Sequence, residues 1–186
     1  MNNPPDQGFT LIELLLVITI LAIAIGLGTP AMGKLAEHHA RTALLNDLLT
    51  GINHARTQAV MQGVNVTLCP LDQNHRCSGD WNQPITVFRD AGRTRTLNHN
   101  SDILHVVPAP GRGKLYGRTG IRKHFAFRPS GLARDSIGHF LWCPDDGEAE
   151  NAFQVRINMG GRPAVAQDSN GDGIAEDAYG QNIICP

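Results

Sequence analysis

Gly8-Phe9-Thr10-Leu11-Ile12-Glu13 opens the stretch that decides how this chain is built, because it runs directly into residues 14–33, twenty residues without a charge. As a helix that stretch spans roughly 30 Å at ~1.5 Å per residue, about one bilayer core. Glu13 is its one awkward feature. A carboxylate placed one turn inside an apolar helix costs about 2.5 kcal/mol or more in hydrocarbon unless it meets a partner. The segment therefore predicts both a membrane-length helix and a counter-charge for Glu13.

A short polar leader ending in Gly8, followed by Phe-Thr-Leu-Ile-Glu and an apolar helix, resembles a type IV prepilin. The resemblance implies that a prepilin peptidase cuts between Gly8 and Phe9, that Phe9 is N-methylated, and that Glu13 pairs with the positive N-terminus of a neighbouring subunit. Two charges that neutralise each other inside a helical bundle avoid isolation in a low-dielectric core. An ordinary secretory signal peptide fits less well. Residues 1–8 contain no Lys or Arg, and such signals carry a positive n-region and a cleavage site after the apolar stretch. An uncleaved anchor leaves Glu13 without a reason. Lys34 and Arg41 follow the segment and no basic residue precedes it, which by charge count favours the opposite orientation. The cysteines overrule that count.

There are four, Cys69, Cys77, Cys143 and Cys185, an even number that suits an oxidising compartment and two disulfides in one of three connectivities. Short spacing favours Cys69 with Cys77, leaving Cys143 with Cys185. No two stand at the Cys-x2–4-Cys spacing of a zinc site.

Glycines and prolines fall mostly after residue 62, which divides a helix-compatible part from a turn-rich part. Before that boundary Leu45, Leu48, Ile52, Ala55 and Ala59 form an apolar stripe, with Arg41, Asp47, Asn53, Arg56 and Gln62 largely off it. Gly26, Gly28 and Pro30 predict a kink or local melting of the helix. Beyond the boundary, 65–68, 85–88, 103–107, 125–127, 140–142 and 153–157 are short, β-branched or aromatic, and bounded by turn residues. One long helix followed by six short strands predicts an α+β fold: a pilin-like helix packed on a C-terminal antiparallel β-domain. The organisation expected is a leader (1–8), a membrane and assembly helix (9–35), the soluble half of that helix (36–62) and the β-domain (63–186).

Leu68-Cys69-Pro70, Cys77-Ser78-Gly79-Asp80-Trp81, Val87-Phe88-Arg89-Asp90, Phe127-Arg128-Pro129-Ser130-Gly131 and Leu141-Trp142-Cys143 succeed one another as in the FimT/GspH group of minor pilins and pseudopilins. This resemblance implies a minor pilin of a type IV pilus, or alternatively a GspH-like minor pseudopilin of a type II secretion system. Its partners would be other major and minor pilins, the prepilin peptidase and the inner membrane. A single-pass inner-membrane protein with a periplasmic C-terminal domain, later incorporated into a filament, follows from the same resemblance.

The net charge of −1 hides a division. Residues 89–134 hold ten Lys or Arg against Asp90 and Asp102, a balance of +8, whereas 135–186 hold nine acids against Arg156 and Arg162, a balance of −7. A basic face binds a polyanion by counterion release, and neutralisation between the two blocks is the competing reading. The resemblance also implies DNA capture, with which FimT-like minor pilins of some bacteria are associated and for which a Gly-Arg-x-Arg motif near the C-terminus supplies contacts; here Gly161-Arg162-Pro163-Ala164 retains only Arg162. The candidate DNA contacts are Arg112, Lys114, Arg118, Arg122, Lys123 and Arg162.

Asp168-Ser169-Asn170-Gly171-Asp172-Gly173 places oxygens at alternate positions before a glycine, as a calcium loop does. Asp168, Asn170 and Asp172 are the candidate ligands, with Glu176 or Asp177 closing a shorter loop because Tyr179 stands where an EF-hand needs an acid. An Asn/Asp/Gly surface turn is the simpler reading. Gly111-Arg112-Gly113-Lys114 fails as a phosphate loop, since Pro108 and Leu115 occupy positions that need Gly and Ser/Thr. No nucleophile, base and orienting acid group together, so an enzyme is not expected.

Overall fold

The computed structural model describes residues 10–133 and 137–186. It divides into two compact units, Met1–Glu37 and His38–Pro186. Helix α1 is Leu11–Gln62 and is helical through Gly26, Gly28 and Pro30. The expected local melting is therefore not found there.

In the first unit, Thr10 caps the helix: its hydroxyl accepts the Glu13 N–H at 3.3 Å and its carbonyl the Leu14 N–H at 3.2 Å. Such a side-chain acceptor satisfies one of the donors that a helix start leaves open. The described apolar side chains of 11–25 are exposed, among them Leu11, Leu14, Leu16 and Ile23. A helix apolar all round is the kind that a large core or a membrane buries. Among the described residues, no helix is long and apolar enough to cross a membrane, so the expected span over 9–35 does not rest on them.

The second unit is α+β. Among the described residues, eight strands make two antiparallel sheets: β1 (Val66–Pro70), β2 (Ile85–Arg89), β3 (Ile103–Val107) and β5 (Phe125–Phe127) in the order β3-β2-β1-β5, and β4 (Lys114–Arg118), β6 (Gly138–Cys143), β7 (Phe153–Ile157) and β8 (Pro163–Val165) in the order β4-β6-β7-β8. The six expected strands are all present. Two were not expected. β4 contains a glycine and is basic at both ends, so it reads as a charged loop. β8 is three residues long and opens on Pro163, which an edge position tolerates because its missing N–H is not needed by a further neighbour.

Alternation along the strands sorts side chains into two layers. Val66 and Leu68 of β1, Ile85 and Val87 of β2, and Phe140 and Trp142 of β6 join one central core with Leu44, Leu48, Ile52, Ala55 and Ala59 of α1. The helical stripe begins at Leu44, not Leu45, which is only partly buried.

The opposite faces are covered by loops, and each disulfide ties one cover down. Cys69 and Phe88 pack with Leu97 on the outside of the first sheet, where Cys69 bonds Cys77. Leu141 and Cys143 pack with Ala152 and Ile183 on the outside of the second, where Cys143 bonds Cys185. The connectivity favoured by spacing is the one present.

Two arginines assigned to the polar side of the helix are instead tethers. Arg41 donates through Nε to the Asn151 carbonyl at 2.7 Å and through Nη2 to that of Ala152 at 3.3 Å. Arg56 Nε donates to the Gly131 carbonyl at 3.2 Å. Their long stems let the charged heads reach backbone acceptors beside the apolar stripe.

Candidate functional site

Gly8 and Phe9 lie outside the described residues. Glu13 is exposed in the first turn of α1, where a carboxylate suits the positive end of the helix dipole.

The candidate DNA-contacting residues are all exposed but do not converge. Arg112 lies two residues ahead of β4, Lys114 opens the strand and Arg118 ends it, so roughly 13 Å of strand separates Lys114 from Arg118 at ~3.3 Å per residue. Arg122 and Lys123 lie in the turn before β5, and Arg162 precedes β8 at the other edge of the second sheet from β4. Acids interleave with them. Asp145 Oδ1 accepts the Gly113 N–H at 3.1 Å, between Arg112 and Lys114, and Arg89 pairs with Asp102 at 3.8 Å.

What the second sheet does assemble is a row that sequence reading missed. Arg118 of β4 faces His139 of β6, and His139 faces Arg156 of β7, so directly paired residues place three nitrogen bases on one surface. Burial lowers the His139 pKa below its usual value, Arg118 and Arg156 lower it further, and Asp177 opposes them. Arg156 lay in the acidic block, where a count along the chain sets it among carboxylates. Only strand register brings it to Arg118.

Arg156 also lines a hollow with Asn170, Glu176 and Asp177 of the acidic loop. Asp168 accepts the Gly171 and Gly173 N–H groups at 2.7 and 2.8 Å, and Asp172 accepts the Ile174 N–H at 2.9 Å. Asn182 Nδ2 donates to Asp172 Oδ2 at 2.7 Å. The Asn182 side chain, the Ile174 N–H and Asn170 hold the Asp172 carboxyl below the usual carboxylate range. Glu176, unlike the two aspartates, is buried. Asn170, an expected ligand, instead spends Oδ1 on the Asp172 N–H and Nδ2 on Asp172 Oδ2.

Comparison with known proteins agrees with this architecture. A prokaryotic N-terminal methylation motif matches residues 4–29. The crystal structure of the type IV minor pilin FimU from Pseudomonas aeruginosa PAO1 is similar in fold, with a TM-score of 0.53 at 16% identity, over 69% of this chain and 89% of that one. A second crystal form of FimU gives 0.49 at 15% identity, over 68% and 91%. Nothing among curated proteins matches. The family model of the type II transport protein GspH matches residues 44–161, more than half of the chain, and spans the helical stripe and nearly all of both sheets; the protein belongs to that family.

Proposed function

We propose that this protein is a minor pilin of a type IV pilus, made as a prepilin in the bacterial inner membrane with its second unit in the periplasm and then built into the filament. One observation carries the reading: a methylation motif over 4–29 stands directly ahead of a GspH region over 44–161. In this reading the peptidase cuts after Gly8, Phe9 is methylated, and Glu13 meets the N-terminus of the next subunit. The exposed apolar side chains of 11–25 pack first against lipid and then against other pilins. Intact-mass measurement on protein from sheared filaments of the native host tests it. Loss of residues 1–8 with one added methyl group is expected. A retained leader, or absence from sheared filaments, would reject it.

The family description favours a second reading, a minor pseudopilin of a type II secretion system. Deleting the gene separates the two: lost piliation supports the pilus, and exoproteins retained in the periplasm support secretion. DNA capture is a further role supported by the exposure of Arg112, Lys114, Arg118, Arg122, Lys123 and Arg162. Contact of this kind is sequence-independent and weakens steeply with salt. Neutralising Arg118, Arg122 and Lys123 together is expected to weaken duplex retardation and flatten its salt slope. No retardation at low ionic strength would remove DNA from the proposal.

A further inference from the structure

Between β8 and the C-terminal disulfide, one carboxylate oxygen each from Asp168, Asp172 and Glu176 lies within 4.8 Å of the others. Three like charges at that range repel, and their hydrogen bonds to neutral donors do not cancel the charge. The loop that gathers them turns at Gly171 and Gly173, with φ of 83° and 92°, angles that a side chain would strain.

Glu176 supplies an independent sign of a cation. It is 7% exposed, and its Oε2 accepts the Ser169 N–H at 2.8 Å. Its Oε1 is buried and meets no donor among the described residues. A buried carboxylate oxygen without a donor is costly, and a cation satisfies it without a donor. Arg156 lines the same hollow, of about 360 Å³, yet makes no ion pair with Glu176 among the described residues.

The donors are all oxygens, which selects a hard cation over zinc or copper. Oxygens on opposite sides of Ca²⁺ stand ~4.8 Å apart at ~2.4 Å per bond, whereas an Mg²⁺ shell is only ~4.1 Å across. Each ionised carboxylate has lone pairs to spare beyond the bonds it already accepts. We infer that Asp168, Asp172 and Glu176 form a Ca²⁺ site that fastens the C-terminal tail to this loop. The fastening is direct: Asp172 holds Asn182, Glu176 forms an isolated antiparallel bridge with Asn182, and the Ile183 N–H donates to the Ala175 carbonyl at 2.9 Å. This site is independent of the filament reading.

Calorimetric titration of the full-length chain in detergent, stripped with EDTA and titrated with CaCl₂ or MgCl₂, tests it. One Ca²⁺ per chain is expected, with a dissociation constant of roughly 10⁻⁵–10⁻³ M, and Ca²⁺ should raise the melting midpoint by binding the folded state. Mg²⁺ should bind at least about tenfold more weakly. Glu176→Gln should weaken Ca²⁺ binding by about tenfold or more. If that variant does not fold by circular dichroism, Asp172→Asn, at an exposed position, carries the same expectation. No heat and no melting shift at about 10 mM Ca²⁺, equal binding of Mg²⁺, or undiminished binding by a folded variant would overturn the site.

Discussion

Gly117 of β4 lies against the Trp81 indole: a Cβ built at Gly117 would overlap Trp81 Cε2. Gly117 pairs with Phe140 across β4 and β6, and Trp81 meets Phe140 edge-on at 5.2 Å and Phe125 at 5.8 Å. The glycine that weakens β4 as a strand is the vacancy into which the indole packs, joining the two sheets through one aromatic group.

Gly117→Ala is accordingly expected to cost about 1–3 kcal/mol by overpacking, and Trp81→Ala about 3–5 kcal/mol by leaving a cavity. The double variant should be less destabilised than the sum, because removing the indole removes the clash. Denaturant unfolding followed by far-UV circular dichroism measures all three. Strict additivity would show that the two residues do not oppose each other.

Asp90 organises the turn after β2. Its carboxylate accepts the buried Thr67 hydroxyl at 2.9 Å and the backbone N–H groups of Thr94 and Arg95 at 2.7 and 3.1 Å. Asp90→Ala strands these donors and is expected to cost about 2–4 kcal/mol, against roughly 1 kcal/mol for Thr67→Val. Equal losses in equilibrium unfolding would mean that the carboxylate does not hold the turn.

The disulfides should differ in weight. Cys143–Cys185 closes a separation of 42 residues and Cys69–Cys77 one of 8. By loop entropy, removing the first costs about 4 kcal/mol and the second about 2.5 kcal/mol. Paired Cys→Ser variants compared by urea unfolding give the order, and the reverse order would assign the stabilisation to local packing instead.

His139 should make the second unit acid-sensitive. Its folded pKa is lowered, first by burial and then by Arg118, so below its ordinary value of 6.5 the unfolded chain takes up the proton first. Stability contributed by the neutral ring is present above about pH 6.5 and is lost as pH falls through the lowered folded pKa. NMR titration should find His139 below the ordinary histidine value, and Arg118→Gln should raise it. An unchanged value in that variant would leave burial and Arg156 as the causes.

Local pattern sufficed where the physics is local. The uncharged run after Glu13, the apolar repeat from Leu48 to Ala59, six β-branched or aromatic strands and the Cys69–Cys77 spacing each report short-range preferences, and together they settle an α+β chain of the pilin kind.

Tertiary structure decided what depends on contact between distant segments. β4 is a strand because β6 supplies its hydrogen bonds and Trp81 fills Gly117, neither of which Lys114-Leu115-Tyr116-Gly117-Arg118 contains. Arg41 and Arg56 become tethers because carbonyls 110 and 75 residues away come within reach. The charge blocks of +8 and −7 along the chain are redistributed by register, which sets Arg118 and Arg156 on either side of His139. Glu176, one of four acids in a ten-residue loop by sequence, is the one that burial singles out, because a carboxylate's surroundings, unlike its identity, are fixed only when the chain closes over it.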